Sequence, residues 1–131
     1  MKSAFLYLAL AEKNLYTISK QFNFSASHVI EGLPDEHPCS RLHGHNYVVE
    51  LALASESLTK TGFVVDYNEL AVFKKIIDDN LDHRHLNDVM TGFTTAEAIA
   101  KYLYDHAKLI WPEVISVSVS ETPKTNAIYQ P

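Results

Sequence analysis

A period of two dominates the apolar positions of this chain. Between Leu15 and His28 the residues Phe22, Phe24, Ala26 and His28 share one parity, while Asn23, Ser25 and Ser27 occupy the other. That pattern predicts a strand with one face buried. The alternation returns in His45, Tyr47, Val49, Leu51 and Leu53, and again where Ile115, Val117, Val119 and Glu121 oppose Ser116, Ser118 and Ser120, predicting a second strand and a last strand over Val114–Glu121. Residues 29–42, with Gly32, Pro34 and Pro38, predict a loop of a length that usually serves function. Gly62–Asp66 reads as a short strand entering a helix that Asp66 and Glu69 cap, that Leu70, Phe73 and Ile77 stripe, and that ends near Asn80. A second helix is predicted from Thr94, where Thr94-Thr95-Ala96-Glu97 has capping-box spacing. Its apolar face is Ile99, Tyr102, Leu103, His106 and Ile110, and Pro112 ends it. Strand, strand, helix, helix, strand, with little parallel-crossover signal, predicts an α+β fold: an antiparallel sheet with two helices on one face.

No Pro/Gly-rich linker or repeat interrupts these elements, and 131 residues suffice for one ordinary domain, so residues 15–131 read as a single unit. Residues 1–14 read as an N-terminal extension. Lys2 followed by the apolar run from Ala4 to Ala11 imitates a secretory signal, but the run is at the short limit for one and Phe5 and Tyr7 alternate like a strand. It is also far too short to span a bilayer, so no membrane partner is expected. A net charge of -5 with two arginines argues against nucleic acid as a partner. A lone cysteine cannot close an intramolecular disulfide and sits more comfortably in a reducing compartment, here the cytoplasm.

Six of the seven histidines fall in two windows, residues 28–45 and 83–85. His43 and His45, two apart on a strand, project from the same face, and Gly44 between them admits a close backbone neighbour. His28 ends the preceding strand on its apolar face, so antiparallel pairing brings a third imidazole beside them. Three imidazoles suit zinc and leave a fourth position open. Cys39 either completes a closed, structural Cys-His-His-His site or stays off the metal as a reactive thiol in the loop. In Leu81–Asp88, Asp82 beside His83 offers a carboxylate that fixes an imidazole for proton transfer; the alternative is a polar loop with helix-capping residues. Glu121 closes the apolar face of the last strand, where a charge is costly unless donors meet it or the strand has already reached water.

Phe24-Ser-Ala-Ser-His28, Cys39-Ser-Arg-Leu-His43-Gly-His45-Asn-Tyr47, Thr61-Gly-Phe-Val-Val-Asp66-Tyr-Asn-Glu-Leu70, Leu81-Asp-His83 and Glu121-Thr together closely resemble the 6-pyruvoyl-tetrahydropterin synthase superfamily, over nearly everything after residue 20. The resemblance implies the T-fold, in which subunits assemble into a barrel with active sites at their interfaces, and hence a homo-oligomer. It implies zinc on His28, His43 and His45, a catalytic thiol at Cys39, a proton-transfer pair in Asp82 and His83, and a pterin anchor at Glu121. The family's Thr-Ser/Thr-Glu pterin contact appears as Thr95-Ala96-Glu97, in which Thr95 and Glu97 match and Ala96 departs. Three residues between Cys39 and His43 are similar to the bacterial 6-carboxy-tetrahydropterin synthases of the queuosine (7-deazaguanine) pathway, whereas the animal pyruvoyl enzymes have a longer spacing. The implied reaction converts 7,8-dihydroneopterin triphosphate to 6-carboxy-5,6,7,8-tetrahydropterin, acetaldehyde and triphosphate. Its alternatives are a pyruvoyl synthase that eliminates triphosphate and a non-catalytic structural zinc module.

Overall fold

A computed structural model describes residues 14–131. The expected extension over residues 1–14 therefore lies, apart from Asn14, outside the described residues. The strands are β1 (Tyr16–His28), β2 (His43–Ser55), β3 (Arg84–His85), β4 (Val114–Ser120) and β5 (Ala127–Tyr129); the helices are α1 (Ala71–Asn80), α2 (Leu86–Val89) and α3 (Ala96–Ile110). They form one sheet of order β3-β1-β2-β4-β5. β1 and β2 pair antiparallel over their full lengths, from Tyr16 opposite Ser55 to His28 opposite His43.

The period-two faces are the ones that pack. Phe22, Phe24, Tyr47, Val49, Leu51, Leu53, Val117 and Val119 are buried beneath the helices. The opposite face carries Ser25, Ser27, Glu50, Ser116, Ser118 and Ser120, all half-buried. From α1, Phe73 and Ile77 enter the core, and Phe73 meets Phe22 edge-to-face at 5.1 Å between ring centroids. Such a fully buried aromatic contributes about 2–3 kcal/mol by area alone.

Five expectations require correction. The sheet is mixed, because β3 pairs parallel with β1, Arg84 beside Ala26. The turn after α1 carries the chain to the free edge of β1, where His83 N–H donates to the Ser25 carbonyl at 2.6 Å. Gly62–Asp66 is a turn rather than a strand. Adjacent Val64 and Val65 are both buried, which alternation forbids, and the turn closes through Gly62 N–H on the Thr59 carbonyl and Thr59 N–H on the Phe63 carbonyl. The cap of the longer helix lies one residue later than expected: Thr95 is the N-cap, with Oγ1 accepting from Ala98 N–H at 3.2 Å, so no Thr94–Glu97 box forms. Its buried face is Ala96, Ile99, Ala100, Leu103, Tyr104 and Ala107, while Ile110 is exposed. β4 ends at Ser120, and a bulge opposite Ala52/Leu53 turns Ile115 out of register and Val114 into the core.

Candidate metal centre and active site

The β1–β2 register builds the site. His28 and His43 are directly opposite, and His45 sits opposite Ala26 on the same face. Gly44 permits a close approach: a Cβ there would stand 3.1 Å from the Ala26 carbonyl oxygen, which would have to give by a few tenths of an ångström. The three rings cluster with centroids 4.5, 5.3 and 4.9 Å apart, and one ring nitrogen of each lies within 4.8 Å of the others.

The hydrogen bonds settle which nitrogens face the centre. His28 Nδ1 lies 2.8 Å from the Thr94 carbonyl and His43 Nδ1 lies 2.7 Å from the Arg41 carbonyl. A carbonyl only accepts, so both rings carry their proton on Nδ1 and present a lone pair on Nε2. His28 Nε2 and His45 Nε2 are buried and have no hydrogen-bond partner. Glu121 Oε2 is 3.5 Å from His45 Nε2, too long a contact to satisfy that atom. Burial pushes the His28 pKa down against the raising effect of the Thr94 bond, and the neighbouring His43 lowers it further, so the ring stays neutral. Three converging ring nitrogens, two of them buried and without a partner, are what a divalent metal needs, and these residues fit one.

Cys39 does not join that group: among the described residues, the cluster of possible ligand atoms holds the three histidines alone. The loop holds Cys39 by its backbone. It sits in a 3-10 turn, Pro38–Ser40, where its N–H donates to His37 Nδ1 and its carbonyl accepts from Ile30 N–H at 2.9 Å.

Asp82 and His83 do face one another. Asp82 Oδ1 accepts from Ser25 N–H at 2.9 Å, and Oδ2 lies 2.9 Å from His83 Nδ1. The Ser25 bond, assisted by His83, holds the Asp82 carboxyl below its ordinary pKa. His83 adopts φ 58, a left-handed conformation costly for a residue with a Cβ, which aims its ring outward. It lines a cleft of about 440 Å³ with Ser25, Ser27, Asn46 and Arg84. Ser25 points away from the face that carries His28, and among the described residues no hydrogen bond or ion pair joins Cys39 to Asp82 or His83.

Glu121 and Glu97 line one cavity of about 380 Å³ together with Ala96, Thr125 and Asn126. Thr95 stands next to it, with its hydroxyl engaged as the α3 cap.

Two residues escaped the sequence reading. Asn87 clamps the chain just after His28, its Oδ1 accepting from Val29 N–H and its Nδ2 donating to the Val29 carbonyl, both at 2.9 Å. Nothing in Leu86-Asn87-Asp88 marks it as more than a loop residue. Tyr47, fully buried, stacks on Phe24 at 4.7 Å and stands 5.4 Å from the His45 ring. Its parity with His43 and His45 was the available signal. Burial, with a contribution from the Glu121 charge, raises its pKa, so the phenol stays protonated.

The class thus defined is a T-fold domain with a three-histidine centre beside a carboxylate-lined cavity. The family described as 6-pyruvoyl tetrahydropterin synthase matches residues 17–131, and the chain belongs to that family. It is 33% identical to the 6-carboxy-5,6,7,8-tetrahydropterin synthase of Bacillus subtilis, across 88% of this chain and 86% of that protein. To the protein of that name from Synechocystis it is 36% identical, across 88% and 93%. The solved 6-pyruvoyl tetrahydropterin synthase of Caenorhabditis elegans superposes with a TM-score of 0.80 at 28% identity, across 90% of this chain and 96% of that one. Among the described residues no helix is long and apolar enough to cross a membrane.

Proposed function

We propose that this chain converts 7,8-dihydroneopterin triphosphate to 6-carboxy-5,6,7,8-tetrahydropterin, acetaldehyde and triphosphate, using zinc held by His28, His43 and His45. The observation that carries the reading is the histidine triad with two orphaned Nε2 atoms, set beside Glu121. When bound, zinc supplies a Lewis acid that polarises the oxygens of the substrate side chain.

The chain's own residues do the rest. Glu121 accepts two parallel hydrogen bonds from the pterin amino and ring N–H groups, which offsets the cost of placing a charge at the edge of the core. Thr95, by capping α3, sets where Glu97 stands in the same cavity. Cys39, as thiolate, takes the proton from the substrate side chain. Asp82 accepts from His83 Nδ1–H and so leaves His83 Nε2 free to carry protons to and from the hydroxyls. His83 lines a cleft with Ser25 and Ser27, on the sheet face opposite to the one that carries His28, and that placement supports an active site completed where two copies meet, and hence a homo-oligomer. A cytoplasmic setting and a place in queuosine biosynthesis belong to this reading.

Mass spectrometry of the products from dihydroneopterin triphosphate is the test. A carboxy product with acetaldehyde is expected. A pyruvoyl product would instead support the second reading, which the likeness to the Caenorhabditis elegans enzyme favours. A structural zinc module is separated by Cys39→Ala: the enzyme keeps its fold and metal while turnover falls at least about a hundredfold, whereas a structural site loses metal and fold together.

A further inference from the structure

Among the described residues, three buried side-chain atoms have no hydrogen-bond partner: His28 Nε2, His45 Nε2 and the Tyr47 hydroxyl. The two nitrogens have their explanation in a metal. The hydroxyl does not, because a protonated phenol is a poor metal ligand and offers a hydrogen as well as lone pairs. A buried donor left unmade is costly, so such a group in a functional cluster calls for an acceptor.

The register names the acceptor. Val48 pairs with Ser120 at the end of the β2–β4 ladder. Glu121 follows directly after the end of β4, so continuing this register by one residue sets it across from Tyr47, on the face that also carries His45. Directly opposed residues of an antiparallel pair have Cβ atoms about 4.5–5.5 Å apart. Phe24, stacked at an interplanar angle of 10°, and the His45 ring confine the tyrosine on two sides. Glu121 is anchored by no full hydrogen bond of its own, only by the 3.5 Å approach to His45 Nε2, and that nitrogen is committed elsewhere once the metal is bound. An anchor that must accept two parallel hydrogen bonds from a planar ring needs its carboxylate plane fixed.

We propose that Tyr47 is a positioning residue: its hydroxyl donates to the Glu121 carboxylate in the metal-loaded protein and holds it in the orientation that accepts a pterin ring. The inference rests on the role given to Glu121 under the proposed function.

The test uses the full chain loaded with zinc, with neopterin as the probe and its fluorescence as the readout. Tyr47→Phe should weaken neopterin binding about tenfold, or about 1.4 kcal/mol, with zinc content unchanged. The metal-free variant should melt no lower than the parent chain, since it loses a hydroxyl that has no partner there. In a Glu121→Gln background the same substitution should change Kd less than twofold, because the orientation it supplies has lost its object. Unchanged affinity in Tyr47→Phe, a lowered melting temperature of the metal-free variant, or additive losses in the double variant would each overturn the proposal. Failure of the parent chain to bind neopterin at all would refute the pterin reading itself, which separates the two.

Discussion

Asn87 offers the sharpest stability test, because its two bonds to Val29 are easily removed and their effect reaches the metal centre through a single peptide. Asn87→Ala deletes an acceptor for Val29 N–H and a donor to the Val29 carbonyl, both at 2.9 Å. Each such bond is worth about 1 kcal/mol net of its exchange with water, so the two together come to about 2 kcal/mol. For a chain of this size that corresponds to a fall in Tm of about 6–10 °C, at roughly 3–5 °C per kcal/mol. Asn87→Asp is the informative companion: it keeps an acceptor for Val29 N–H but sets a carboxylate oxygen against the Val29 carbonyl, so it should lose about 2 kcal/mol as well. Urea unfolding of the metal-free protein at one fixed protein concentration measures both. His28 is the residue before Val29, so zinc affinity should also fall, by about tenfold, as it does when groups orienting a ligand are removed. A loss below about 0.5 kcal/mol in both variants, within the range of ordinary surface changes, would refute the clamp.

Further expectations follow from the same geometry. Thr95→Ala removes the α3 cap and should cost about 1 kcal/mol in the same unfolding assay; Thr94→Ala should leave the helix cap intact. Gly44→Ala forces a Cβ to within 3.1 Å of the Ala26 carbonyl, so zinc titration should show weakened binding while circular dichroism stays unchanged. The depressed Asp82 carboxyl contributes stability that is whole above its ordinary pKa of 3.8 and is lost as pH falls through the lower folded value. Asp82→Asn should flatten that acid limb of a stability profile. Zinc at a hundredfold excess over its Kd should raise stability by about 2.7 kcal/mol, and His28→Ala should abolish the rise seen by calorimetry.

The sheet was legible in the sequence wherever a strand has one wet and one dry face. β1 and β2 alternate cleanly because Ser25, Ser27 and Glu50 stay at the surface while Phe24 and Tyr47 do not. Where both neighbours are buried, as at Val64 and Val65, the same rule misread a turn as a strand. The bulge that turns out Ile115 and buries Val114 leaves no mark in a string of alternating apolar and serine residues. β3 and β5, two and three residues long, exist by pairing with a strand already in place and carry no period of their own. The histidine cluster was legible because His28, His43 and His45 share parity on adjacent strands. Asn87, Tyr47 and the bond that Ser25 N–H donates to Asp82 were not, since each depends on a tertiary contact made 57 or 58 residues away in sequence, or on a face already counted as core.

X-ray absorption at the zinc edge counts the atoms bound to the metal. Zinc-loaded protein is expected to give a first shell of imidazole nitrogens from His28, His43 and His45 with lighter oxygen scatterers and no sulfur. A sulfur shell at about 2.3 Å, lost in Cys39→Ala, would place the thiol on the metal and rule out Cys39 as a free base.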